Sequence, residues 1–155
     1  MKRRRLAVSD AVIRPMVIED IPAVLEVEQA SFSLPWPKEA FEREIALNDY
    51  AHYYTVEQEG LVIGYCGMWV VYDQVQITNI AILPRFRGKG YGKKLLGFMI
   101  QKAREYGGAV LSLEVRVSNT AAMTLYKEFG LQPGGIRKQY YTDNQEDALV
   151  MWVNL

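Results

Sequence analysis

Gly88, Gly90 and Gly92 alternate with other residues straight after the isoleucine-rich run 77–83 and straight before a stretch of helical periodicity. Glycines at that spacing leave backbone amides bare at a helix start, where the helix dipole adds positive potential. Arg85, Arg87, Lys89, Lys93 and Lys94 sit in or beside the turn. Such a combination binds an anion, and the spacing narrows which one. A dinucleotide fingerprint needs Gly-x-Gly-x-x-Gly, and Lys93 stands where the third glycine belongs. A P-loop needs Gly-x-x-x-x-Gly-Lys-Ser/Thr; Gly88 and Gly92 are one residue too close, and Lys94 replaces the magnesium-binding hydroxyl. A nucleotide-binding protein is therefore disfavoured.

The elements that must hold this turn are legible from hydrophobic periodicity. The chain has 155 residues, half of them hydrophobic, with formal net charge zero. That suits one soluble domain and gives no global electrostatic case for direct nucleic-acid or membrane binding. One cysteine, Cys66, and one histidine, His52, exclude an internal disulfide and a Cys/His zinc site, so no metal is expected. Cys66 lies in an apolar run and reads as a core residue. Residues 1–10, with Lys2, Arg3, Arg4 and Arg5, read as a loose basic leader, and 11–155 as the domain. Without a signal peptide or an apolar span, a cytoplasmic location is expected.

Residues 11–16 form a first strand, followed by a helix from Glu19 to about Phe32 in which Ile21, Val24, Leu25, Glu28 and Phe32 share a face. Ser33-Leu34-Pro35-Trp36-Pro37 is a proline-fixed loop before a short helix over 38–47. Strands follow over 53–57 and 61–72, joined at Glu59-Gly60. Gly64 and Gly67 signal a bulge or close approach. A turn at Asp73-Gln74 leads into the strand at Ile77. A helix runs from Gly90 to Tyr106 and ends at Gly107-Gly108. A strand over 110–117, a helix capped near Asn119 and closed at Gly130, and strands over 135–141 and 147–154 complete the chain. The order β-α-α-β-β-β-α-β-α-β-β predicts an α/β fold: a mixed, mainly antiparallel sheet of about seven strands, flanked by about four helices, with one β-α-β crossover carrying the glycine turn.

Arg87, Gly90 and Gly92 match Arg-x-x-Gly-x-Gly, and the chain resembles the GNAT family of N-acetyltransferases. Leu113-Glu114-Val115-Arg116, Asn119, Ala122, Leu125-Tyr126 and Gly130, with Phe32-Ser33-Leu34-Pro35-Trp36 and 137–141, are similar to its RimI-type branch. The resemblance spans about 13–152. It implies acetyl-coenzyme A as co-substrate and, as acceptor, the N-terminal alanine of small-subunit ribosomal protein eighteen. It also implies roles by position. Ile80, Ala81 and Ile82 would offer strand backbone to the pantetheine arm. Arg87, Gly88, Lys89, Gly90, Tyr91, Gly92 and Lys93 would wrap the pyrophosphate, and Asn119 would contact the cofactor. Glu114 would be the general base and Tyr126 the general acid.

Residue chemistry is compatible with those roles. Acetyl transfer to an amine needs a neutral amine and a proton for the leaving thiolate. A carboxylate serves the first need directly or through a water, and a phenol protonated at neutral pH serves the second. Structural readings stand beside these. Glu114 pairs with Arg116 on a solvent face, Tyr126 packs in the core, and Asn119 is a helix cap. Trp36 either fills a core gap or walls the acceptor site together with Tyr140 and Tyr141. Acetylation of a lysine, a polyamine or a small amine stays open, as does a non-catalytic coenzyme A-binding module. Oligomeric state is not readable from the chain.

Overall fold

A computed structural model of the chain describes residues 6–155; the basic run at 2–5 lies outside them. Seven strands form one sheet: β1 (Val12–Pro15), β2 (Ala51–Gln58), β3 (Leu61–Val71), β4 (Gln74–Ile82), β5 (Val110–Arg116), β6 (Gln132–Arg137) and β7 (Ala148–Asn154), in the spatial order β1-β2-β3-β4-β5-β7-β6. Only β4 and β5 are parallel. They are linked by the crossover helix α3 (Tyr91–Glu105). Helices α1 (Ile21–Ser31), α2 (Lys38–Leu47) and α4 (Thr120–Glu128) complete the expected set.

The sheet divides two cores. On one face α3 presents Leu95, Leu96, Met99, Ile100 and Ala103 to Met68, Ile77, Leu111 and Leu113. Each of the large aliphatic side chains contributes about 1.5–3 kcal/mol by leaving water. On the other face Ile21, Val24 and Val27 of α1 and Phe41 of α2 pack on Tyr53, Tyr65 and Ala81. Cys66 is fully buried in the first core, where desolvation pushes its thiol up.

The β2–β3 hairpin turns at Glu59 and Gly60, with φ of 50° and 79°. Positive φ at both central positions is what a two-residue turn needs to match strand twist. The next turn lies at Tyr72-Asp73, one residue earlier than expected, and β4 begins at Gln74, ahead of Ile77. Gln74 and Gln76 alternate with buried Val75 and Ile77, so the polar half of the strand reads as turn in sequence. The strand expected over 135–141 runs instead over Gln132–Arg137. It is an edge strand, where Pro133 is tolerated. A Cβ at Gly134 would stand 2.6 Å from the Trp152 ring. Gln139 turns the chain at φ 50°, which puts Tyr140 and Tyr141 in the loop 138–147 and not on a strand.

Residues 7–10 are also not loose. Val8–Asp10 is a 3-10 turn, and the Lys94 ammonium donates to the carbonyls of Val8 (3.1 Å) and Ala11 (2.5 Å). Gln58 Nε2 donates to Ala7 O at 2.9 Å.

Arg14 braces the start of the fold. Its guanidinium donates to both Asp20 oxygens at 2.7 Å and, through Nε, to Glu57 at 2.8 Å. The hydrogen bonds from Arg14 hold the buried Asp20 carboxyl below the usual carboxylate range. A depressed folded pKa stabilises above the unfolded value and is lost as pH falls through the folded one. Asp20→Asn should therefore cost about 1–3 kcal/mol at neutral pH. Urea unfolding at successive pH values should show the gap to wild type closing below about pH 4. A gap independent of pH would assign the loss to packing.

Candidate active site

The sheet opens in its middle. β4 and β5 pair only at Gln74↔Val110, Val75↔Leu111 and Gln76↔Ser112, yet β4 continues to Ile82 and β5 to Arg116. Beyond Gln76 the two edges diverge and face a wedge. Exposed strand amides and carbonyls in the middle of a sheet need partners. Ile80, Ala81 and Ile82 lie on the β4 side.

The glycine turn stands at the end of β4. Gly88 and Gly90 have φ of 73° and 100°, a region that side-chain-bearing residues rarely adopt. The first bond of α3 runs from Lys94 N to Gly90 O at 3.0 Å, and the amides of 88–93 find no backbone acceptor among the described residues. Tyr91 is buried and its hydroxyl accepts from Gln58 (2.8 Å), so it anchors the turn and offers only its amide. Arg87 is a brace: it donates to Ile82 O at 2.8 Å and to Ser31 Oγ at 3.0 Å. Lys93 pairs loosely with Glu128 at 3.5 Å, while Arg85 and Lys89 flank the Phe86 ring. Bare amides, a helix N-terminus and a widening sheet edge fit a diphosphate followed by an extended amide-bearing chain.

A cleft of about 480 Å³ lies along the wedge, and Glu114, Tyr126, Asn119, Trp36, Tyr140 and Tyr141 all line it. Five elements or loops thus deliver the expected side chains to one place. Glu114 does not pair with Arg116. Gln76 Nε2 donates to its Oε2 at 3.3 Å, and Arg137 Nε lies 3.4 Å from its Oε1. Arg116 instead engages Asp143 (2.9 Å) and Glu146 (3.3 Å), with its guanidinium 3.9 Å from the Tyr141 ring centre. Tyr126 is both core and cleft: it is 6% exposed, and burial pushes its phenol well up. Asn119 caps α4, its side-chain oxygen accepting from Ala122 N at 3.2 Å.

Trp36 packs on Phe41 with ring centres 5.5 Å apart, and its amide donates to Glu28 at 3.0 Å. Glu28 also accepts from the Tyr65 hydroxyl and is 2% exposed; burial raises its carboxyl. A charged residue on the apolar stripe of α1 was the one sign of it in sequence. Ser33 Oγ bonds Asp143, so the loop around Trp36 and the loop 138–147 meet across the cleft. Gln76 and Arg137 were not legible as partners of Glu114, because those contacts cross from other strands.

A family model described as the acetyltransferase (GNAT) family matches residues 21–131. The chain belongs to the GNAT family. A Bacillus subtilis protein, provisionally named ribosomal protein bS18-alanine N-acetyltransferase, is 53% identical over 145 residues, covering 94% of this chain and 96% of that protein. The Escherichia coli K12 ribosomal protein bS18-alanine N-acetyltransferase is 36% identical over 136 residues, covering 85% and 89%. The crystal structure of the ribosomal-protein-S18-alanine N-acetyltransferase from Escherichia coli superposes with a TM-score of 0.86 at 32% identity, over 93% of each chain. GNAT membership makes the chain an acetyl-coenzyme A-dependent N-acetyltransferase and accounts for the mixed sheet and the glycine turn. Among the described residues no cluster of three or more His, Cys, Asp or Glu side chains is arranged to hold a metal, and no helix is long and apolar enough to cross a membrane.

Proposed function

We propose that this enzyme acetylates the α-amine of a protein N-terminus, with the N-terminal alanine of ribosomal protein bS18 as its acceptor. The observation that carries the reading is the opening of Glu114 and Tyr126 onto a single cleft beside the wedge, walled by Trp36 and Tyr140–Tyr141. The names of the relatives supply the alanine.

In this reading the amides of 88–93 hold the diphosphate, and the β4 edge at 80–82 aligns the pantetheine arm. Glu114, kept in place by Gln76 and Arg137, accepts the proton shed by the acceptor ammonium. Tyr126 supplies a proton where sulfur departs. A single carboxylate suits an α-amine. At pH 7 a neutral α-amine of pKa about 8 costs about 1.4 kcal/mol, whereas a lysine near 10.4 costs about 4.6 kcal/mol. The aromatic walls favour an extended peptide and limit its first side chain by size. Apolar pockets discriminate by only about 1–3 kcal/mol per methylene, so other small first residues should react more slowly and not be refused.

The test compares, by mass spectrometry, a peptide beginning with alanine against the same peptide with a blocked N-terminus and an internal lysine. The alanine peptide is expected to be acetylated and the blocked one nearly inert. Equal or faster modification of the lysine would overturn the reading.

A further inference from the structure

Asn79 has no part in the roles assigned so far, yet three features of the sheet converge on it. β4 carries an extra residue: Asn79 pairs with Gly67 and Ile77 with Met68, which leaves Thr78 as a bulge. Residues three apart on a regular strand point to opposite faces. The inserted residue resets that alternation, so Asn79 faces the same side as Gln76, which pairs with Trp69 and bonds Glu114. Asn79 and Gln76 both line the cleft or bond its carboxylate from one face.

The Asn79 carboxamide is also held. Thr78 Oγ1 donates to Asn79 Oδ1 at 2.8 Å, and the Tyr53 hydroxyl lies 3.0 Å from Thr78 Oγ1. A threonine hydroxyl has one hydrogen, so Tyr53 must be the donor to Thr78. The Tyr53 ring reaches the bulge only because residue 67 is glycine; a Cβ there would stand 2.1 Å from the ring. With its oxygen engaged, Asn79 has its NH2 left over. Nδ2 has no protein partner among the described residues, whose one fully sealed and unpaired side-chain polar atom is Thr55 Oγ1. The Asn79 NH2 is thus open to the cleft.

We infer that Asn79 is an acceptor-positioning residue: its NH2, aimed by Tyr53 and Thr78, donates to the first peptide carbonyl of the acceptor and sets the α-amine before Glu114. The inference rests on the N-terminal reading above and extends it. A peptide α-amine always has that carbonyl on the next carbon but one, and a lysine amine has none. Asn79 would therefore recognise the class of amine independently of the first side chain. Tyr53 and Thr78 are positioning residues that act through it.

The test is steady-state kinetics with an alanine-initiated peptide and its analogue in which a trans-alkene replaces the first peptide bond. With wild type the analogue is expected to raise the acceptor KM roughly tenfold, the worth of one hydrogen bond. Asn79→Ala should raise the KM for the normal peptide by a similar factor, leave the acetyl-coenzyme A KM unchanged, and lose the distinction between the two peptides. Tyr53→Phe keeps the ring and should move the acceptor KM the same way by a smaller factor, which guards against misfolding of the first variant. If Asn79→Ala discriminates between the peptides as wild type does, or the acetyl-coenzyme A KM shifts instead, the assignment is wrong while the N-terminal reading stands. If wild type acetylates neither peptide, the N-terminal reading fails and takes this assignment with it.

Discussion

Tyr126→Phe is expected to lower kcat by about 10²–10⁴-fold, the usual loss when a positioned general acid is removed. Stability should change little. The ring that packs in the core remains, and no described residue loses a hydrogen-bond partner, since none bonds the hydroxyl. Deleting a hydroxyl that faces the cleft leaves no buried partner unsatisfied, so the folding cost is small. The elevated phenol pKa does not argue against the role. The burial that disfavours phenolate also disfavours a free thiolate released in the same cleft, so both ends of the proton transfer rise together. Turnover and urea unfolding measured on the same preparation separate the two effects. Undiminished turnover would reduce Tyr126 to core packing and leave water as the proton source.

Gly90→Asp is expected to weaken acetyl-coenzyme A binding by roughly 30- to 1000-fold, from about 2–4 kcal/mol of like-charge opposition. Gly90 is the N-cap of α3, so the new carboxylate would occupy the positive end of the dipole meant for the diphosphate. The variant should still fold. A Cβ at residue 90 meets nothing within 4 Å, which leaves the φ of 100° as the source of strain. Such left-handed strain costs on the order of 1–2 kcal/mol. Gly90→Ala carries the same strain without the charge and should lose much less affinity. Calorimetric titration with acetyl-coenzyme A compares the two. Equal affinity in folded Gly90→Asp and wild type would move the diphosphate elsewhere.

What could be read from sequence was what is local. The glycine turn, the Glu59-Gly60 hairpin and the amphipathic α3 each declare themselves within a few residues, because backbone sterics and side-chain periodicity act at that range. Gly107 and Gly130 also adopt positive φ where helices close. The failures were of longer range. Gln132–Arg137 looks like a loop until its place at the sheet edge is known, since Pro133 and two glycines are strand breakers elsewhere. Lys94 belongs by position to the cationic turn, but it reaches carbonyls more than eighty residues away in sequence. Glu114 could be placed on its strand from sequence, whereas its partners Gln76 and Arg137 could not, because strand neighbours are set by topology. The same holds for the Thr78 bulge. Gly67 hinted at an irregularity there without saying which face it would expose.

The order of the strands bears on how the site comes into being. β1 to β4 lie side by side as β1-β2-β3-β4, and β2 to β4 are joined by two-residue turns, so that half of the sheet can form as soon as it is synthesised. The other half cannot, because β7, the last strand in chain order, lies between β5 and β6. Until β7 arrives, β5 has only its three-pair seam with β4 as strand pairing, and β6 has no strand neighbour. The wedge has one wall before that moment and two after it. A chain that has not yet placed β7 therefore carries the residues of the cofactor turn but lacks the second wall of the cleft.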